Sequence, residues 1–163
     1  METSTPPGEI VLRLVAAAVL GGLVGWEREA HGRAAGLRTH MMVALGAAVF
    51  TLIAVEWFAS EPDRAGPSVL DPLRVVAAVV GGIGFLGAGA IIHSRGNVRG
   101  LTTAAGMWAV AGVGVATGAG FYLIAAVATV LALVTLAVVR WLEGLVPRHE
   151  KSNGGGEESP PAA

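Results

Sequence analysis

Long apolar stretches separated by short polar segments dominate the chain. Residues 10–26, 39–58 and 73–93 each approach the roughly 20 mainly apolar residues that a helix needs to cross a bilayer. A fourth stretch, residues 101–139, has 39 residues and no charge, so as one helix it would be about 58 Å long, too long for a membrane. The triplet Gly118-Ala119-Gly120 predicts a turn that divides it. The pattern predicts an all-α polytopic membrane protein with five transmembrane helices.

The same pattern divides the chain into three parts. We expect residues 1–9 to form a short extracytoplasmic N-terminus, residues 10–140 the transmembrane domain, and residues 141–163 a flexible cytoplasmic tail. The last part contains three consecutive glycines and two adjacent glutamates. Such a composition buries too little apolar surface to fold.

Composition supports the membrane prediction and excludes several kinds of chemistry. Only 14% of the residues are charged, whereas soluble domains carry about a quarter. The absence of cysteine excludes disulfides, thiol catalysis and thiolate metal sites. There is no nucleophile–base pair, phosphate-binding loop or dinucleotide fingerprint, and the net charge of −1 gives no reason to expect nucleic acid binding. We therefore expect neither an enzyme nor a cofactor.

Positive charges are unequally distributed between the two ends of the spans. One end has three basic residues, Arg13, Arg64 and Arg74. The other has eight: Arg28, Arg33, Arg38, Arg95, Arg99, Arg140, Arg148 and Lys151. Because basic loops stay in the cytoplasm, the pattern predicts a multi-pass membrane protein with its N-terminus outside and its C-terminus in the cytoplasm.

Two parts of the sequence resemble each other at an offset of 61 to 64 residues. Leu12-Arg13 and the valines and alanines that follow it match Leu73-Arg74 and its successors, and Gly36-Leu37 matches Gly100-Leu101. Polar landmarks match as well as apolar ones, which favours two parallel two-helix repeats plus one extra helix. Chance similarity among segments rich in alanine, valine and glycine is the alternative.

Glycines recur at spacings typical of helix packing in membranes. Gly21 with Gly25 and Gly114 with Gly118 form GxxxG pairs. The third span has five glycines, at positions 81, 82, 84, 87 and 89. Close packing between helices is the favoured interpretation, and a pore or a hinge at Gly87–Gly89 is the alternative.

Two glutamates end the first span. If the helix continues, Glu29 lies on the Gly21/Gly25 face and should look into the bundle, whereas Glu27 should not. Hard divalent cations prefer oxygen ligands, so Glu29 is the best candidate for a metal ligand. A salt bridge from Glu29 to Arg33 is the structural alternative. Three histidines at the same membrane face could also bind a metal or sense pH, but their spacing follows no ligand motif: His31, His40 and His93.

Both Gly-Leu-x-Thr segments open a span. A threonine, Thr39 in the first and Thr102 or Thr103 in the second, can cap the new helix. Two helix N-termini beside several arginines would form a binding site for an anion. The alternative is that the threonines only cap the helices and the arginines only anchor the loops on the cytoplasmic side. The arginines are Arg33, Arg38 and Arg99. The amide of Asn97 could tie the two loops together.

The chain resembles the MgtC/SapB family of bacterial inner-membrane proteins. The similar segments are residues 26–40, which include Trp26-Glu-Arg-Glu and Gly36-Leu-Arg-Thr-His, residues 82–89, and residues 97–105. The resemblance implies a five-helix protein linked to life under magnesium limitation. Longer family members carry a soluble domain after the last helix, which this chain is expected to lack. By position, the family pattern marks Glu27, Arg28, Glu29, Arg33, Gly36, Arg38, Thr39, Gly84, Gly87, Gly89, Asn97, Arg99, Gly100 and Thr102.

These observations predict a non-enzymatic protein that helps a bacterium adapt to low magnesium by contact with another membrane protein. The alternative is a small oligomeric transporter or channel for magnesium or another ion. No span carries a charge near its middle, where ion pathways usually keep one, and this favours the first hypothesis. The expected partners are the lipid bilayer, a membrane protein and, as a further option, a second copy of the chain.

Overall fold

The computed structural model describes residues 3–60, 71–94 and 97–145, which form five helices and one short antiparallel hairpin. The elements are α1 (Pro7–Ala30), α2 (Leu37–Ser60), α3 (Pro72–Ala90), β1 (Ile92–Ser94), β2 (Asn97–Arg99), α4 (Leu101–Gly118) and α5 (Tyr122–Leu145). All five helices are long and apolar enough to cross a membrane. The prediction of an all-α protein with five transmembrane helices is confirmed.

Helix α4 lies at the centre of the bundle. It contacts each of the other four helices, and half of its span is buried, compared with 11% for α3 and for α5. A methyl group added to Gly114 would overlap the carbonyl oxygen of Ala44 on α2, and one added to Gly118 would lie 2.5 Å from that of Ala48. Glycine is therefore what allows α4 to lie directly against the backbone of α2.

The other GxxxG pair packs α1 against α2. A methyl group on Gly21 would lie 2.6 Å from the Cβ of Ala44, and one on Gly25 would lie 2.8 Å from the Cα of Leu37. Both distances are too short for any larger residue without movement of a helix. The predicted packing role of both GxxxG pairs is confirmed.

The glycines of α3 behave differently from this prediction. Methyl groups on Gly81, Gly82, Gly84 and Gly89 would meet no described atom within 4 Å, and only Gly87 approaches α4, at 3.5 Å from the Cβ of Ala104. Close packing within the chain is therefore wrong for four of the five. The reason is that Gly87 and Ile83, one helical turn apart, are the buried residues of α3, while the other four glycines are exposed. Helix α3 is continuous through Gly87–Gly89, and a hinge there stays a prediction.

Three boundaries differ from the predicted ones. Helix α3 ends at Ala90, and the next residues form β1, in which Ile92 pairs with Arg99 and His93 with Val98 of β2. Helix α5 continues to Leu145, so residues 141–145 belong to a helix and not to the tail, and α1 already begins at Pro7. The rest of the predicted tail lies outside the described residues, as do Arg64, Arg95, Arg148 and Lys151 of the charge count.

The second helices of the two proposed repeats begin at matching positions. Helices α2 and α4 both start at the leucine of Gly-Leu-x-Thr, at Leu37 and Leu101, whereas α1 begins four residues earlier relative to the repeat than α3 does. The predicted threonine caps are wrong, because Thr39 and Thr102 already lie inside the first turns of these helices. Gly100 is the residue at the N-cap of α4, with a left-handed φ of 90°.

At the opposite end of the bundle, polar contacts join distant segments. Arg13 donates hydrogen bonds to Glu9 and to the carbonyl oxygen of Gly118, both at 3.0 Å. The hydroxyl of Tyr122 donates to Glu9 at 2.7 Å. The start of α1 is thereby fixed to the turn between α4 and α5.

Candidate functional site

Most of the predicted site residues lie at one end of the bundle, where α1 and α5 end and α2 and α4 begin. The glycines of α3 are the exceptions: Gly84 and Gly89 are exposed and Gly87 is buried against α4. The side chains at the arginine-rich end form two arrangements, one centred on Glu27 and the other on Glu29.

Glu27 joins α1 to α5. Its Oε1 accepts a hydrogen bond from Nη1 of Arg140 at 2.9 Å and lies 3.3 Å from Nδ1 of His31. Arg140 also contacts Nε2 of His31. The Nδ1 of His31 is 2.7 Å from the carbonyl oxygen of Glu27, so this nitrogen is the donor in the neutral ring. The carboxylate of Glu27 is thus shared by three partners, counting Arg28.

Arg28 is buried beneath this network. It is 4% exposed, and its Nε lies 3.3 Å from Oε2 of Glu27. That Nε has no hydrogen-bond partner among the described residues. A buried charge destabilises a fold unless another charge compensates it, and here the compensation comes from Glu27.

Glu29 caps a helix that it does not belong to. Its Oε2 accepts a hydrogen bond from the backbone N–H of Leu37, the first residue of α2, at 2.8 Å. Gly36 makes room for this contact, since a methyl group there would lie 2.5 Å from the same oxygen. A carboxylate at a helix N-terminus is stabilised by the helix dipole and the free N–H groups.

The predicted orientation of the two glutamates is wrong. Glu29 is exposed, and Glu27 is the more buried of the two. Helix α1 ends at Ala30 and the chain turns at Gly32, which has a φ of 63°, so that residues 36 and 37 return to Glu29. The predicted Glu29–Arg33 salt bridge is absent from the described residues, because Arg33 lies beyond the end of the helix.

The described residues contain no group of three histidine, aspartate or glutamate side chains that could hold a metal ion. The carboxylate of Glu29 is engaged by Leu37, so its role as a metal ligand stays a prediction. The three histidines do not converge. His93 is exposed on β1, His31 partners Arg140, and His40 is fully buried, with Nδ1 bonded to the carbonyl oxygen of Gly36 at 2.9 Å.

The remaining predicted residues lie around the hairpin and the loop between α1 and α2. Asn97 pairs with Ser94 in the hairpin and forms no side-chain bridge to the first loop within the described part of the chain. A methyl group on Gly100 would overlap the carbonyl oxygen of Ala90, so only glycine fits there. The exposed side chains of this set are Arg33, Arg38, Thr39, Asn97, Arg99 and Thr102.

Sequence reasoning missed the roles of Arg140 and His40. Arg140 served only in the charge count, although a charge that directly follows 39 uncharged residues was a signal. Its partner Glu27 lies 113 positions away, a separation that the pattern of spans does not resolve. His40 gave no signal beyond its place within an apolar stretch.

Comparison with known proteins identifies the family. The family model described as "MgtC family" matches residues 14–145. A protein of Escherichia coli K12 named "Putative magnesium transporter YhiD" is 40% identical over 136 residues, which cover 82% of this chain and 62% of that protein. "Protein MgtC" of Salmonella typhimurium LT2 is 45% identical over 130 residues, covering 80% and 52%.

The chain spans less than two thirds of the length of these relatives. No solved structure matches it. Since the family model covers most of the chain and both relatives are at least 40% identical to it, the chain belongs to the MgtC family.

Proposed function

We propose that this protein is a non-enzymatic inner-membrane protein that supports adaptation to low magnesium by contacting another membrane protein. The link to magnesium rests on membership of the MgtC family and on the name of the YhiD relative. The proposed orientation has the arginine-rich end in the cytoplasm and the N-terminus outside, in accordance with the distribution of basic residues.

The observation that carries the proposal is an uncovered face of α3. Gly82, Phe85 and Gly89 follow one another at spacings of three and four residues, and Gly81 lies four residues before Phe85, so the four share one side of the helix. Phe85 is 82% exposed, and the three glycines have no described neighbour within 4 Å of an added methyl group. In lipid, glycines serve mainly to let a second helix approach closely. We expect the partner to supply that helix.

The charged residues support a contact role over a conduction role. Glu27, Arg28 and Glu29 all lie in the last turn of α1, and the carboxylates of the two glutamates are engaged by groups of the same chain. Transport pathways usually keep ionisable groups near the middle of the membrane. The middle of the described spans is apolar, and the exposed arginines at the arginine-rich end, Arg33, Arg38 and Arg99, can contact a partner.

Photo-crosslinking from α3 tests the proposal. Phe85 is replaced by p-benzoylphenylalanine, which keeps an aromatic side chain at an exposed position, and the protein is irradiated in its native membrane. The matched control places the same residue at Leu131 of α5, which is 59% exposed. We expect a crosslinked product with a second membrane protein from position 85 that the control lacks.

The outcomes separate the hypotheses. A product formed only between two copies of this chain would favour the oligomeric alternative. The same pattern of products from positions 85 and 131 would contradict a specific contact on α3.

A small ion transporter remains the second candidate, favoured by the apparent repeat and by the matching starts of α2 and α4. Magnesium flux into liposomes that hold the purified protein tests it, with Glu29→Gln and Asn97→Ala as variants. Flux above that of empty liposomes, lost in either folded variant, would replace the proposed contact role. Absence of flux from correctly inserted protein would agree with that role.

A further inference from the structure

A cavity of about 90 Å³ lies between α1, α4 and α5 at the arginine-rich end of the bundle. It has room for several waters or for one tetrahedral anion. Its polar lining consists of Glu27, Arg28, His31, Arg33, Thr102, Thr135 and Arg140. The composition of this lining indicates what the cavity can hold.

The lining carries an excess of positive charge. Three arginines face one carboxylate, that of Glu27. Arg28 is 4% exposed and its Nε lacks a hydrogen-bond partner among the described residues, while the exposed Arg33 has no ion-pair partner there. Glu27 therefore leaves donors of the arginines unused. Arginines in such a position select ligands with several acceptor oxygens, of which phosphate is the most common.

Two hydroxyl groups add to this lining. Other threonines of the bundle, such as Thr51 and Thr129, donate to the carbonyl oxygen one turn earlier in their own helix, both at 2.8 Å. Neither Thr102 nor Thr135, which line the cavity, makes such a bond in the described structure. Their hydroxyls are therefore available as hydrogen-bond donors to a bound oxyanion.

The first turn of α4 borders the same cavity through Thr102. No side chain caps this helix, whereas Glu29 fills the corresponding position at α2. With the offset of 64 residues between the loops, the counterpart of Glu29 is His93, which lies on β1. A carboxylate thus caps the N-terminus of α2 in the first repeat, whereas no described side chain caps the N-terminus of α4 in the second. Free N–H groups at a helix N-terminus favour an anion.

We propose that this cavity binds a phosphate group, held by Arg28, Arg33 and Arg140 with the hydroxyls of Thr102 and Thr135. The group belongs either to an anionic lipid headgroup or to free phosphate, which share this chemistry. Basic pockets between transmembrane helices at the cytoplasmic side are typical of sites for anionic lipids. The site does not depend on the proposed contact with another membrane protein.

Ligand-dependent stability of the purified protein in neutral detergent tests the site. The unfolding temperature is followed by the fluorescence of the four tryptophans while phosphatidylglycerol, phosphatidylcholine or inorganic phosphate is titrated, with chloride at matched ionic strength as the reference. A ligand that binds the folded state alone raises this temperature. We expect phosphatidylglycerol to raise it more than phosphatidylcholine does.

The variants are Arg33→Gln and Thr135→Val, which change the rim of the cavity and leave Arg28 in place. Arg38→Gln is the matched control, because Arg38 is an exposed arginine at the same end of the bundle but does not line the cavity. We expect Arg33→Gln to weaken binding about tenfold, as is typical for the loss of one charge-assisted hydrogen bond. Thr135→Val should weaken it less, and Arg38→Gln should leave it unchanged.

Each possible result either supports the proposed phosphate site or overturns it. Stabilisation by phosphatidylglycerol alone, lost in Arg33→Gln, identifies a lipid headgroup site, and stabilisation by inorganic phosphate as well identifies the phosphate group itself as the ligand. Absence of stabilisation by either ligand would overturn the proposal. So would an equal loss in Arg33→Gln and Arg38→Gln, because that would indicate only a general attraction between charges.

Discussion

The carboxylate of Glu29 accepts a hydrogen bond from the backbone N–H of Leu37, with 2.8 Å between oxygen and nitrogen. A side chain in the last turn of α1 thereby caps the first turn of α2. The loop between them can be short and exposed because this contact fixes its two ends. Gly36 leaves room for this contact, since a methyl group there would lie 2.5 Å from the carboxylate oxygen and would displace the Glu29 side chain.

Removal of this cap should destabilise the start of α2. We expect Glu29→Ala to lower the free energy of unfolding by about 1 kcal/mol, the usual effect of losing a helix cap with a favourable charge. Glu29→Gln keeps an oxygen acceptor and should cost less. Unfolding by sodium dodecyl sulfate in mixed micelles measures both, and an Ala variant as stable as the parent would contradict the cap.

The ion-pair network around Glu27 should lose more stability when the Glu27 carboxylate is removed than when its partner Arg140 is removed. Glu27→Gln leaves Arg28 buried without a compensating charge, so we expect it to cost about 3 kcal/mol. Arg140→Gln should cost about 1 kcal/mol or less, because the side chain of Arg140 is 40% exposed and exposed ion pairs contribute little. Unfolding of the two variants side by side measures the difference, and equal costs would mean that Arg28 does not depend on Glu27.

The contact between α4 and α2 provides a sharply matched pair of substitutions. Gly114→Ala places a methyl group against the carbonyl oxygen of Ala44, whereas a methyl group on Gly112, two residues earlier in the same helix, meets no atom of the described residues within 4 Å. We expect Gly114→Ala to cost about 2–3 kcal/mol through overpacking. Gly112→Ala should be neutral or slightly stabilising, because alanine favours the helix. Thermal unfolding in detergent distinguishes them, and similar midpoints would show that α4 can shift at no cost.

A second matched pair separates backbone strain from steric overlap. Gly32 and Gly100 both have a left-handed φ, of 63° and 90°. Alanine at Gly32 meets no described atom within 4 Å, but alanine at Gly100 overlaps the carbonyl oxygen of Ala90. We expect Gly32→Ala to cost about 1 kcal/mol, the strain alone, and Gly100→Ala clearly more. Comparison of the unfolding midpoints of the two variants checks this. An equal loss of stability in both would mean that the steric overlap at Gly100 contributes nothing beyond the strain of the left-handed φ.

The sequence is most informative where a single local rule decides the structure. The length of the apolar stretches predicts five spans, and Gly-Leu-x-Thr marks the first residues of α2 and α4, Leu37 and Leu101. The GxxxG pair of Gly114 and Gly118 predicts a close helix contact, which the structure confirms. Each of these features depends on neighbouring residues and on the thickness of the membrane.

Prediction fails where a structure depends on distant partners or on competition between two local patterns. Glu27 is only partly exposed because Arg140 approaches it from α5, 113 residues away, and Glu29 turns outward because the chain reverses after Ala30. Ile92 and His93 continue an apolar stretch in the sequence, yet they pair with Arg99 and Val98 in a hairpin. Four of the five glycines of α3 resemble packing residues, but an added methyl group on them would meet no described atom of this chain within 4 Å.

The central position of α4 has a consequence for the biogenesis of the protein. It is the least apolar of the five spans and also the most buried. A segment of this kind leaves the translocon for lipid less readily than the strongly apolar α5 does. Helices α1 and α2, which are synthesised first, supply the alanine surface that α4 requires. We therefore expect α4 to insert together with its neighbours and not as an independent span, so that the order of synthesis becomes part of how this bundle assembles.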